Sequence, residues 1–132
     1  MGQQQLLLII LGVIIVGIAI AVGLSLFSAQ SVQANKDAIT NDLNNLAANA
    51  YQYRIRPTSM SGGGNSYAGY TIPTKLKTNE NASYTISTQG SATGISFMGT
   101  SIQNASNTGQ VSIGTDGRSL PTGGWSYNGD FQ

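Results

Sequence analysis

The sequence contains no cysteine, no histidine, three prolines, and six basic and five acidic residues among 132. Without cysteine there is no disulfide, so any folded part must be held by packing and ladder hydrogen bonds, or by neighbours. Without cysteine and histidine the usual ligands of zinc, haem and iron–sulfur clusters are missing, and neither a metal nor another cofactor is expected. A net charge of +1 offers no electrostatic basis for a nucleic-acid surface, and no specific nucleic acid is expected as a partner. Asp37 and Asp42 stand five apart on a helix and do not face each other, while Asp116 and Asp130 fall in turn-like contexts. The serines and threonines have no activating base beside them. The composition therefore reads as a non-enzyme.

One long uncharged run is present. Leu6 to Phe27 has no charge and no proline, and the next charged residue is Lys36. As a helix its 22 residues rise roughly 33 Å, close to the hydrocarbon thickness of a bilayer. Leu6, Leu7, Leu8, Ile9, Ile10, Leu11, Val13, Ile14, Ile15, Val16, Ile18, Ile20, Val22, Leu24 and Phe27 place apolar side chains all round that helix. A helix apolar on every side must be buried on every side, by lipid or by other helices. Gly12, Gly17 and Gly23 interrupt the run.

From Ala29 the pattern narrows to one stripe: Ala29, Val32, Ile39, Leu43, Leu46, Ala50 and Tyr53 recur at helical spacing. Asn35, Asp37, Asn41, Asp42, Asn44, Asn45 and Asn49 are assigned to the opposite face. The period is continuous, so one helix is expected from near the N-terminus to about Arg54, ended by Pro57 and the SMSGGGN stretch. Fifty residues of helix span roughly 75 Å. So long a helix in so short a chain cannot be covered by its own domain along its length.

The remainder is rich in Gly, Ser, Thr and Asn, the composition of turn-rich β structure. Candidate strands are Tyr67 to Ile72, Ser83 to Thr88, Gly94 to Met98, Gln110 to Ile113 and Trp125 to Tyr127. The second and third alternate and are expected to pair as a hairpin. Asp116-Gly117 and Asn128-Gly129 read as tight hairpin turns. The predicted fold class is α+β, with a small antiparallel sheet laid on Ile39, Leu43, Leu46, Ala50 and Tyr53 and with Phe97, Trp125 and tyrosines filling the interface. The expected organisation is an apolar helix over 1–28, its amphipathic continuation over 29–56 and a small β domain over 57–132.

Met1 to Gln5 carries no basic residue, unlike a secretory signal, and we take the segment as mature sequence. Gln3, Gln4 and Gln5 either set register between packed N-termini or cap a membrane helix at its interface. Arg54 and Arg56 either meet a helix C-terminus, or reach Asp37 or Asp42 of another copy, or are simply solvated. Lys75 and Lys77 share a face if that stretch is extended. Asn81-Ala82-Ser83 and Asn104-Ala105-Ser106 match the N-glycosylation triplet, leaving room for surface glycan. Tyr51, Tyr53, Tyr67 and Tyr70 read as core and interface packing.

This order of parts, an apolar helix running into an amphipathic half and then a small sheet with Gly, Ser and Thr loops, resembles the type IV pilin family. The resemblance implies a structural subunit of an extracellular filament. Residue by residue, Leu6 to Phe27 would form the polymer core, and the sheet domains the outer layer. It further implies residence in the inner membrane before assembly, and pilus assembly machinery and many copies of the same chain as partners. Two departures from the family stand out. Its basic leader is missing, and its fifth mature residue, a glutamate, is Gln5 if Met1 is the mature start, or Leu7 if the chain is cut after Gly2. Met1 and Gln5 are thus the expected N-terminal register residues. The family's helix-interrupting proline is also absent, so Gly17 and Gly23 are the expected points of helix loosening within the filament. A pseudopilin of a secretion system, or a single-pass anchored domain that binds a partner outside the cell, shares these features.

Overall fold

A computed structural model describes residues 2–120 and 123–132. It is an α+β arrangement in which helix α1, Gly2–Ile55, is followed by a four-stranded antiparallel sheet. The chain divides into two compact units, residues 1–33 and residues 34–132. The described residues of the first unit, 2–33, are helix alone. The second holds the amphipathic part of α1, the sheet and its loops.

In the second unit the strands are β1 (Ala82–Thr88), β2 (Ile95–Ser101), β3 (Thr108–Ile113) and β4 (Trp125–Asn128), in the spatial order of the sequence. The hairpin between the second and third predicted strands is present, with Ile86 opposite Phe97 and a register shift before Thr88. Alternation dictates which face is covered: Ala82 and Tyr84 of β1, Phe97 of β2, and Val111 and Ile113 of β3 are all buried. They meet a helix stripe in which Ile39, Leu43, Leu46, Ala47 and Ala50 are buried and Tyr53 is half-buried. Where the helix crosses the sheet at Ile39, the paired residues Gly99 and Gly109 leave room for it. A Cβ on Gly99 would sit 2.9 Å from Ile39 Cγ2.

The helix ends one residue beyond the expected Arg54, and the glycine-rich loop closes it as well as breaking it. Gly63 N–H donates to Tyr53 C=O at 2.8 Å and Asn65 N–H to Arg54 C=O at 2.7 Å, which satisfies carbonyls that have no partner within the helix.

Four expectations are corrected. Tyr67 to Ile72 is not a strand: Tyr70 N–H turns back onto Tyr67 C=O, Gly69 has φ +82°, and Pro73 follows. The residues Lys75 to Lys77 are not extended, since Pro73 starts a one-turn helix, α2 (Thr74–Lys77). Asn128-Gly129 makes no hairpin but leads from β4 into a 3-10 turn, Gly129–Phe131, whose Phe131 is buried. Trp125 is half-buried on β4 and stacks on Tyr127, ring centroids 6.0 Å apart, instead of filling the core. The Asp116-Gly117 turn does form, with Gly114 N–H bonded to Arg118 C=O, and Ile113 bridges Ser119.

Candidate assembly surface

The surface singled out by the sequence is the first unit. Every large apolar side chain from Leu6 to Phe27 is between 52% and 74% exposed. Nothing among the described residues of the unit lies over them, and the helix is long and apolar enough to cross a membrane. Gln5 is exposed, and Met1 lies outside the described residues. A Cβ placed on Gly12, Gly17 or Gly23 would meet nothing within 4 Å, so packing inside the chain gives no reason for glycine at these positions. The helix is unbroken through Gly17 and Gly23. Counting glycines alone also overlooked that Gly17 and Ala21, and Ala19 and Gly23, stand four apart, the small-residue spacing that lets helices approach closely.

In the second unit, the polar residues assigned to the far side of the stripe divide. Asn35, Asp42 and Asn49 recur every seven residues and form a seam along one flank of the sheet. Asn35 accepts from Ser101 Oγ at 2.7 Å and donates to Asn81 C=O at 3.4 Å. Asp42 accepts from Tyr84 Oη at 2.5 Å and from Asn79 Nδ2 at 2.7 Å. Asn49 accepts from Tyr70 Oη at 2.7 Å. The other flank carries Thr40 Oγ1, 3.2 Å from Tyr127 Oη, and the Lys36 ammonium, 4.3 Å from the centroid of the Tyr127 ring. The heptad spacing was the available signal for this seam.

Burial, and then the Asp42 hydrogen bond, raise the Tyr84 phenol well above its ordinary value, and burial pushes Tyr70 up to about 12. Tyr67 is raised too, by burial first; its hydroxyl donates to Gly114 C=O at 2.7 Å. The four clustered tyrosines do pack: Tyr53 meets Tyr70 edge-on at 5.4 Å, Tyr70 meets Phe97 at 5.8 Å, and the Tyr51 ring lies against Gly117. Arg54 is half-buried, 5.7 Å from the centroid of the Tyr67 ring, and not simply solvated, whereas Arg56 is exposed. Asp42 is held by its own chain. Lys75 and Lys77 are both exposed. Asn104 is exposed in a turn where its side chain accepts from Ser106 N–H, and Asn81 is half-buried at the entry to β1.

No group of three or more carboxylates that could hold a metal ion occurs among the described residues. Comparison with family models, with curated proteins and with solved structures finds no match to this chain.

Proposed function

We propose that this chain is a structural subunit of an extracellular filament of type IV pilus-like architecture, polymerising through Leu6 to Phe27. The observation that carries the reading is the uncovered apolar surface of the first unit. Withdrawing each such side chain from water contributes about 1.5 to 3 kcal/mol, so the chain has no stable place as a monomer in solution. Lipid covers the helix first, and packed copies cover it in the filament. Relative to lipid the gain is small, so release from the membrane depends on close helix packing and on machinery that supplies work. Cleavage and methylation of the N-terminal amine belong to the same proposal.

A second reading, a single-pass anchored domain with an extracytoplasmic partner, is favoured by one observation: the sheet of the second unit already covers the stripe from Ile39 to Ala50. Ala29 remains exposed and Val32 half-buried, which the filament reading assigns to neighbouring chains. The experiment is fractionation of the producing cells with mass spectrometry of each fraction. The filament reading expects the chain in material sheared from the surface as well as in the membrane. A chain confined to the membrane supports the anchored domain.

A further inference from the structure

Asn49, Gln52 and Tyr53 recur at helical spacing on one face of the end of α1. Arg56 continues that face, since its N–H still bonds Gln52 C=O at 3.2 Å. The loop after Tyr67 returns to this face and is pinned there by two hydroxyls. Tyr53 Oη donates to Ala68 C=O at 3.0 Å, and Tyr70 Oη donates to Asn49 Oδ1 at 2.7 Å. Between helix and loop lies a cleft of about 280 Å³, lined by these four helix-face residues and by Tyr70 and Thr71. Small-molecule sites run from about 300 to 1,000 Å³, so this cleft suits a ligand at the small end, about one sugar ring.

The polar lining of the cleft is unbalanced. Asn49 Oδ1 is occupied by Tyr70 Oη, which leaves Nδ2–H to donate, and the Tyr53 hydroxyl proton is directed to Ala68. The Gln52 amide and the Arg56 guanidinium are exposed, and neither side chain has a hydrogen bond or ion pair among the described residues. No carboxylate is among the described residues that line the cleft. One cation, surrounded by neutral polar groups, matches a monoanion. A guanidinium pairs with a planar carboxylate through two parallel bonds, and Gln52 and Thr71 can each both donate and accept, as ring hydroxyls require.

We infer that this cleft binds a sugar acid, with its carboxylate on Arg56 and its hydroxyls on Gln52, Thr71 and Asn49 Nδ2. A phosphate dianion would keep one charge uncompensated on the single arginine, and a neutral sugar would leave the guanidinium unpaired. The site is independent of what covers the apolar helix, because every residue that forms it belongs to the second unit.

Saturation-transfer NMR on the full chain, held in a detergent without sugar groups, tests this with sodium glucuronate as the probe and glucose and inorganic phosphate as comparisons. Glucuronate is expected to take up saturation, glucose at the same concentration to take up far less, and equimolar phosphate not to displace glucuronate. Arg56→Gln should weaken glucuronate binding about tenfold or more, as expected for the loss of a charged hydrogen-bond partner. The urea midpoint of that variant should stay unchanged, because Arg56 is exposed and makes no side-chain bond to lose. Arg118→Gln removes an exposed arginine that lines a different hollow and should leave binding as it was. Absence of glucuronate saturation, an equal response from glucose, displacement by equimolar phosphate, or a loss in Arg118→Gln as large as in Arg56→Gln overturns the site. None of these outcomes bears on whether the chain forms filaments.

Discussion

The hydroxyl of Tyr84 on β1 donates to Asp42 on α1 across 2.5 Å, in the middle of the seam begun by Asn35 and ended by Asn49. The bond fixes the sheet against the helix at one height and one rotation. Apolar contact alone tolerates sliding by a turn. Tyr84→Phe keeps the ring and removes the bond, leaving Asp42 with Asn79 alone. A hydrogen bond to a charged group is worth about 1.5 to 3 kcal/mol, and a loss of that size is expected in urea unfolding of the full chain in detergent, followed through its single Trp125.

Alkaline pH should act on the same region. Tyr70 and Tyr84 are raised in the folded chain, so the unfolded chain loses these protons first. Stability is full below the ordinary tyrosine value near 10 and falls as pH rises toward the folded value of Tyr70, about 12. The midpoint of thermal unfolding is expected to drop across this window, and Tyr70→Phe should flatten the drop. A midpoint independent of pH up to 12 would contradict the buried placement of both rings.

Asn35 is buried and satisfies both Ser101 and Asn81. Asn35→Ala leaves a buried hydroxyl and a carbonyl without this partner, at a cost of about 1 to 3 kcal/mol. Asn41→Ala, on an exposed position of the same helix, is the comparison and should change unfolding little. Equal effects would mean that the seam is not structural.

Gly99 and Gly109 face each other across β2 and β3, yet their tolerance should differ. Alanine at Gly99 meets Tyr84 Cε1 at 2.8 Å and Ile39 Cγ2 at 2.9 Å, which is overpacking worth about 1 to 3 kcal/mol. At Gly109 the nearest atoms are at 3.5 Å, ordinary contact. Gly99→Ala is expected to lower the unfolding midpoint and Gly109→Ala to leave it near the original.

The helix, its stripe and the pairing of β1 with β2 were legible because hydrophobic period reports burial directly: Ile39, Leu43, Leu46 and Ala50 are buried where period 3.6 puts them. The polar seam was not, because Asn35, Asp42 and Asn49 look solvent-facing until Ser101, Tyr84 and Tyr70 arrive from residues distant in sequence. Tyr67 to Ile72 misled for a related reason. Its aromatic residues are buried as expected of a strand, but Gly69 turns the backbone, and local alternation cannot separate the two cases. For the apolar segment the sequence states that every face must be covered. What covers it is a property of the surroundings, which one chain does not encode.

A lysine at Leu11 or Ile15 would put an ammonium group in the centre of the apolar run. In a bilayer that costs about 2.5 to 3.5 kcal/mol on insertion scales, and more where packed helices exclude water and prevent the side chain from reaching the surface. Either variant is expected to abolish recovery of the chain in sheared material, while Gln103→Ala, on an exposed loop, should not. Normal fibres from the lysine variants would contradict the proposed core.

The central claim, polymerisation through the N-terminal helix, is tested most directly by electron microscopy of material sheared from the producing cells, with the subunit identified in the same fraction by mass spectrometry. The account expects thin, regular filaments made mainly of this chain, with Leu6 to Phe27 packed at the axis. Filaments that lack the chain, or a chain recovered solely in the membrane, would contradict it.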